Sequence, residues 1–266
     1  MRKKVKGRLL GAGGFATLSG SAALLVGAAI LGAPSPAQAG YAVDVFDDGV
    51  LQGGITTVVA GDSLVFLGST THFSITNGSG ASNNPGSQAG SDLSLSSNEQ
   101  ISTTFGAAGG THTIEIVLSQ TGWLAPTGNP LDLSSSPGGS VSDNGGTETI
   151  SATYQGFLDI TNTLFGEPDG SGTPIQSASD NRTGVGTDAL VFSPATSQAS
   201  VAGGTPFSLT DVLMFTFTVS AGSGQDTANV AATTDVSAVP EPASLTILGG
   251  ALAGLGWLGR RRRKTA

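Results

Sequence analysis

Thr111-His112-Thr113-Ile114-Glu115-Ile116-Val117-Leu118 alternates apolar and polar side chains. With a period of two, His112, Ile114, Ile116 and Leu118 share one face, the pattern of a half-buried strand. Val212–Val219 repeats it, with Phe215, Phe217 and Val219 on one face. Working outward, the same signature recurs at 41–46, 55–60, 64–67, 72–77, 92–95, 100–105, 148–154, 189–192 and 227–232, bounded by Gly, Asp and Asn. No window between residues 40 and 238 carries a convincing 3.6-residue period. Thr, Val, Ile and Phe fill the apolar positions, and Ser, Gly, Asn and Asp the spacers. The expectation is an all-β fold, an antiparallel β-sandwich of jelly-roll-like or immunoglobulin-like kind. Residues 78–90, 126–146 and 166–187 are polar and Gly-rich and are expected to be long loops.

Composition narrows the function classes. Of 266 residues, 41 are Gly and 11% are charged, against the roughly 7% and ~25% usual in globular domains. There is no Cys, which removes thiol nucleophiles and thiolate metal sites. Between residues 40 and 239 a single base, Arg182, faces eighteen acids. Such a surface repels phosphate backbones, so nucleic acid is excluded as a partner. The absence of Lys from that interval removes Schiff-base chemistry as well.

The remaining bases stand at the two ends. Arg2, Lys3, Lys4, Lys6 and Arg8 precede a Gly/Ala-rich stretch, the apolar run Ala22–Leu31, and Pro34-Ser35-Pro36-Ala37-Gln38-Ala39. A basic start, a short apolar run and small residues at Ala37 and Ala39 form a signal peptide, with signal peptidase expected to cut before Gly40. The expected divisions are a signal helix over 1–39, an extracellular domain over 40–238 and a tail over 239–266.

Candidate chemistry inside the domain is thin. Gly61-Asp62-Ser63-Leu64 spells the nucleophile motif of the GDSL hydrolases. That family also needs an Asp-x-x-His pair, and neither His72 nor His112 has Asp three residues before it. The four residues are read as a turn between strands, and the two histidines as sheet residues, so no catalytic residue is expected. Asp44, Asp47 and Asp48 with Gly49, Asp143 with Asn144, and Glu167 and Asp169 with Gly170 set hard oxygen donors on turns, as Ca²⁺ prefers. None follows EF-hand spacing. They are read as solvated turn acids, with neither metal nor other cofactor expected.

The tail carries the sharpest motif. Pro240-Glu241-Pro242 is followed by Ala243-Ser244, an apolar segment to Gly259, and then Arg260, Arg261, Arg262, Arg263 and Lys264. The prolines keep the tripeptide extended. Ala243–Gly259 would make a helix of roughly 25 Å, at the short end for a membrane span. Order, spacing and charge closely resemble the PEP-CTERM sorting signal. That resemblance implies recognition of Pro240, Glu241 and Pro242 by an exosortase, a membrane-embedded transpeptidase-like enzyme of Gram-negative bacteria that make exopolysaccharide. It further implies a C-terminal transmembrane helix held transiently in the inner membrane, with Arg260–Lys264 fixing its topology on the cytoplasmic side. Together with the secretion machinery, these are the expected partners of a non-enzymatic surface or matrix protein, with association to exopolysaccharide. A secreted hydrolase or glycan-binding module on the same scaffold is the alternative.

Overall fold

A computed structural model describes residues 40–55, 57–87, 90–165, 172–239 and 249–252, with 92–99 and 182 described through the backbone alone. The expected signal helix lies outside the described residues. Of the expected C-terminal helix only 249–252 are described, and they are helical. Among the described residues no helix is long and apolar enough to cross a membrane.

The described residues form thirteen strands. They are β1 (Gly40–Asp47), β2 (Val50–Leu51), β3 (Thr57–Ala60), β4 (Ser63–Ser69), β5 (Phe73–Ser82), β6 (Ser91–Thr103) and β7 (Gly110–Trp123). There follow β8 (Gly128–Ser135), β9 (Gly138–Asp159), β10 (Gln176–Leu190), β11 (Ala195–Val201), β12 (Phe207–Val219) and β13 (Thr227–Ala238). Neighbours are antiparallel in the order β2-β1-β7-β12-β9-β13-β6-β5-β4, with β3 on β1, β10 on β9, and β8 joining β11 to β13.

Alternation decides which faces meet. Ile114, Ile116 and Leu118 are fully buried, and so are Phe215 and Phe217. Register pairs Phe215 with Ile114 and Phe217 with His112, so the two apolar stripes form one face of neighbouring strands. Each such side chain stabilises the fold by about 1.5–3 kcal/mol on leaving water. The opposite half of the sheet closes over them. Phe73 of β5 packs on Phe217 of β12 at 5.5 Å between centroids, and the Tyr154 hydroxyl of β9 meets Thr234 Oγ1 of β13 at 2.9 Å.

Two expectations are corrected. The sandwich was expected as two separate sheets, whereas the strands form one hydrogen-bonded sheet that curls upon itself. The cause lies in the long strands. β9 pairs with β12 along 148–159 and with β13 along 138–142, and β13 continues onto β8 at 234–238, so the ladder never breaks between layers. The second correction concerns the expected loops. Residues 126–146 hold β8 and the start of β9, 166–187 hold most of β10, and β5 runs to Ser82. Their inward positions are few or small, as with Leu131 and Leu133 in β8 and Ala178 in β10, and the outward ones are Ser, Thr, Asn and Gly. The Gly61-Asp62 pair does join β3 to β4 as a turn.

Candidate functional site

β1 ends at Asp47, and the chain turns through Asp48 (φ 49°) and Gly49 (φ 77°) into β2. His72 stands at the bend before β5 and donates its backbone N–H to Asp47 Oδ2 at 2.9 Å. Its Nδ1 lies 2.8 Å from Asp47 Oδ1, while His112 Nδ1, on β7, lies 2.7 Å from Asp48 Oδ2. The two imidazoles stack at 3.6 Å between centroids, with the edge of Phe105 against His112.

Burial pushes the Asp47 carboxyl up, but hydrogen bonds from Thr70 and His72 outweigh it and leave the group below the ordinary carboxylate range. Asp48 is lowered in the same way, its smaller burial cost overcome by His112 and the Thr113 N–H. Both ring nitrogens that make bonds make them to carboxylates, and among the described residues no hydroxyl bonds either ring. The arrangement ties two turns to β7, and Asp48, His72 and His112 have donor atoms close enough to share a metal ion. A Ser-His-Asp relay would need a hydroxyl on the second ring nitrogen.

The second acid group is buried. Asp143 and Glu148 both lie on β9, at 3% and 2% exposure, although positions of opposite parity should face opposite sides of a strand. A bulge reconciles them. Asn144 pairs with Val185 and Thr147 with Thr183, so Gly145 and Gly146 stand opposite the single residue Gly184. Gly145 (φ 110°) and Gly146 (φ 114°) occupy backbone space that L side chains avoid, which is why glycine is required there.

Asp226, fully buried in the β12–β13 connection, completes the group, and one oxygen from each of the three carboxyls lies within 4.8 Å of the others. Asp226 is clamped in place. Its N–H donates to Thr103 Oγ1 at 3.0 Å, its carbonyl accepts the Thr103 N–H at 2.9 Å, and its Oδ1 accepts the Asn144 N–H at 3.1 Å. Burial, then Asp226 and Asp143, push the Glu148 carboxyl up to about 8. Burial also raises Asp226. Three oxygen-rich side chains in such proximity can share protons or hold a hard cation.

Neither group was assembled by sequence reasoning. Asp143 and Asp47/Asp48 stood in separate candidate clusters, and Glu148 and Asp226 were in none. One signal for the first pair is visible in the sequence. Val141 and Asp143 occupy odd positions and Glu148, Ile150 and Ala152 even ones, with Gly145-Gly146 between them. Glu167, Asp169 and Gly170 lie outside the described residues. So do Ala37 and Ala39, the tripeptide Pro240, Glu241 and Pro242, and the basic end Arg260, Arg261, Arg262, Arg263 and Lys264.

What the structure does place is the point from which the tail departs. β13 ends at Ala238, after pairing with β6 on one side and with β9 and β8 on the other. Comparison with solved structures returns several chains, among them two of infectious bursal disease virus. The Gt strain is 12% identical over 82% of this chain and 68% of that chain at a TM-score of 0.14. The Gx strain is 13% identical over 83% and 68% at a TM-score of 0.12, and neither score indicates a shared fold. No curated protein matches the chain. A family model described as the PEP-CTERM protein-sorting motif matches residues 238–263, beginning at the last residue of β13. The chain thus carries at its C-terminus the PEP-CTERM sorting signal of exosortase-targeted proteins.

Proposed function

We propose that this chain is an exported, non-catalytic surface or matrix protein whose tail hands its β domain to an exosortase-type enzyme. The secretion machinery carries it out, and signal peptidase reads Ala37 and Ala39 and cuts before Gly40. Pro240, Glu241 and Pro242 are presented to the membrane enzyme, while Arg260–Lys264 hold the extreme C-terminus in the cytoplasm. The domain then remains at the cell surface or in the extracellular matrix of a Gram-negative-type bacterium, in association with exopolysaccharide.

The observation that carries this reading is the match at 238–263, which starts where the last strand stops. The strongly acidic, nearly base-free composition of residues 40–239 supports it, because such a surface stays soluble and does not bind nucleic acid. The histidine–aspartate pairs lend the hydrolase alternative no hydroxyl nucleophile among the described residues. Glu241→Ala tests the proposal. Fractionation should find the variant as unprocessed precursor in the inner membrane, and normal processing would refute the assigned role of the tripeptide.

A further inference from the structure

Asp143, Glu148 and Asp226 are buried, with an oxygen of each within 4.8 Å of the others. The sole base between residues 40 and 239 is Arg182, in register with Glu148 across β9 and β10, so the group gathers three carboxyls where the domain offers a single basic side chain. Buried carboxylates are stable when paired, hydrogen-bonded or bound to metal.

The immediate surroundings point to a ligand independently of the acid count. Glu148 is 2% exposed, and its hydrogen-bond partners among the described residues are the facing carboxyls of the group alone. Asp226 Oδ2 finds no donor outside the group, and the Ser223 hydroxyl oxygen is buried without a hydrogen-bond partner. Glu148 Oε1 and Ser223 Oγ both lie close to Gly146. A Cβ built on that glycine would lie 3.3 Å from Glu148 Oε1 and 3.2 Å from Ser220 Oγ, and would collide with Ser223 Oγ. The missing side chain therefore lets the Ser223 hydroxyl approach the backbone beside Glu148. Ser223 and Gly224 also line a cleft of about 210 Å³ shared with Thr103 and Thr104.

We propose that Asp143, Glu148 and Asp226, with the Ser223 hydroxyl, bind one Ca²⁺ ion. All the donors are hard oxygens, and carboxylates with a neutral hydroxyl suit the flexible six-to-eight-oxygen shell of this ion. Mg²⁺ requires near-ideal octahedral geometry and keeps several waters, which a group of buried carboxylates does not favour. Zn²⁺ favours nitrogen and sulfur ligands, and the chain has no Cys. The ion clips the β12–β13 connection to the bulge of β9, replacing mutual repulsion of the carboxylates by shared attraction. The inference stands apart from the sorting reading, since it concerns the domain alone.

Full-length protein purified in detergent, stripped with chelator and returned to pH 7.5, provides the test. Ca²⁺ at 5 mM should raise Tm by roughly 5 °C, as a site of about 10⁻⁴ M affinity implies for an extracellular module. Calorimetric titration should give one ion per chain. Glu148→Gln and Asp226→Asn should each fold and lose the response at least tenfold in affinity, while Asp48→Asn keeps it. Absence of a Ca²⁺ effect in the unmutated chain overturns the proposal, whatever Mg²⁺ or Zn²⁺ does. Survival of the effect in the Glu148→Gln, Asp226→Asn double variant also overturns it. If the two single variants fail to fold, Ser223→Ala takes their place, and an unchanged affinity there refutes the assigned ligand set.

Discussion

Glu148 holds its proton to about pH 8 because burial and the facing carboxyls of Asp226 and Asp143 disfavour its charge. Its folded pKa lies above the unfolded value of 4.5. The stability it contributes is complete below the unfolded value and lost as pH rises through about 8. In chelator, Tm should therefore fall between about pH 5 and pH 9, and Glu148→Gln should flatten that slope. A slope unchanged by the substitution would remove Glu148 as its source. Asp47 behaves in the opposite sense. Hydrogen bonds from Thr70 and His72 leave its folded pKa below the ordinary value of 3.8, so its contribution is present above that value and lost as pH falls through the folded pKa. Asp47→Ala removes the nearer acceptor of both the His72 ring and its backbone N–H and should cost about 2 kcal/mol in urea unfolding at neutral pH. A loss within experimental error would show that these hydrogen bonds contribute no net stability.

At the scale of elements, the bulge decides the chemistry. Without the extra residue in β9, Asp143 and Glu148 would face opposite sides and the buried cluster could not form. Gly146→Ala forces a side chain into φ 114° and onto the Ser223 hydroxyl. It should lower stability by about 1–3 kcal/mol, measured by denaturant unfolding, and abolish any Ca²⁺ response with it. Elements also show what could be read in the chain beforehand. β7 and β12 were legible because Ile114, Ile116, Phe215 and Phe217 are large and strictly alternate. β10 and β11 were not, because their inward residues include Gln176, Ala178, Ala195 and Ala199, which carry little hydrophobic signal. Asp226 was invisible for another reason. It meets Glu148 only through the curling of the sheet, and no local spacing encodes that.

For the whole molecule, the tail leaves from a strand held on both sides. β13 is hydrogen-bonded to β6, β8 and β9, and its residues Ala228, Val230, Ala232 and Val236 belong to the core. Removing residues 239–266 should therefore leave the thermal transition of the domain unchanged while abolishing its delivery. Loss of folding in that truncation would mean that tail and domain are not separable modules. The sorting motif was legible in sequence because its signal is local, in a tripeptide, an apolar run and a block of bases, whereas the domain's acid clusters are assembled by long-range pairing. Mass spectrometry of the protein recovered from the surface of its own cell tests the account most directly. The expected mature chain begins at Gly40 and yields no peptide containing Arg260–Ala266; a surface-located chain still ending at Ala266 would contradict it.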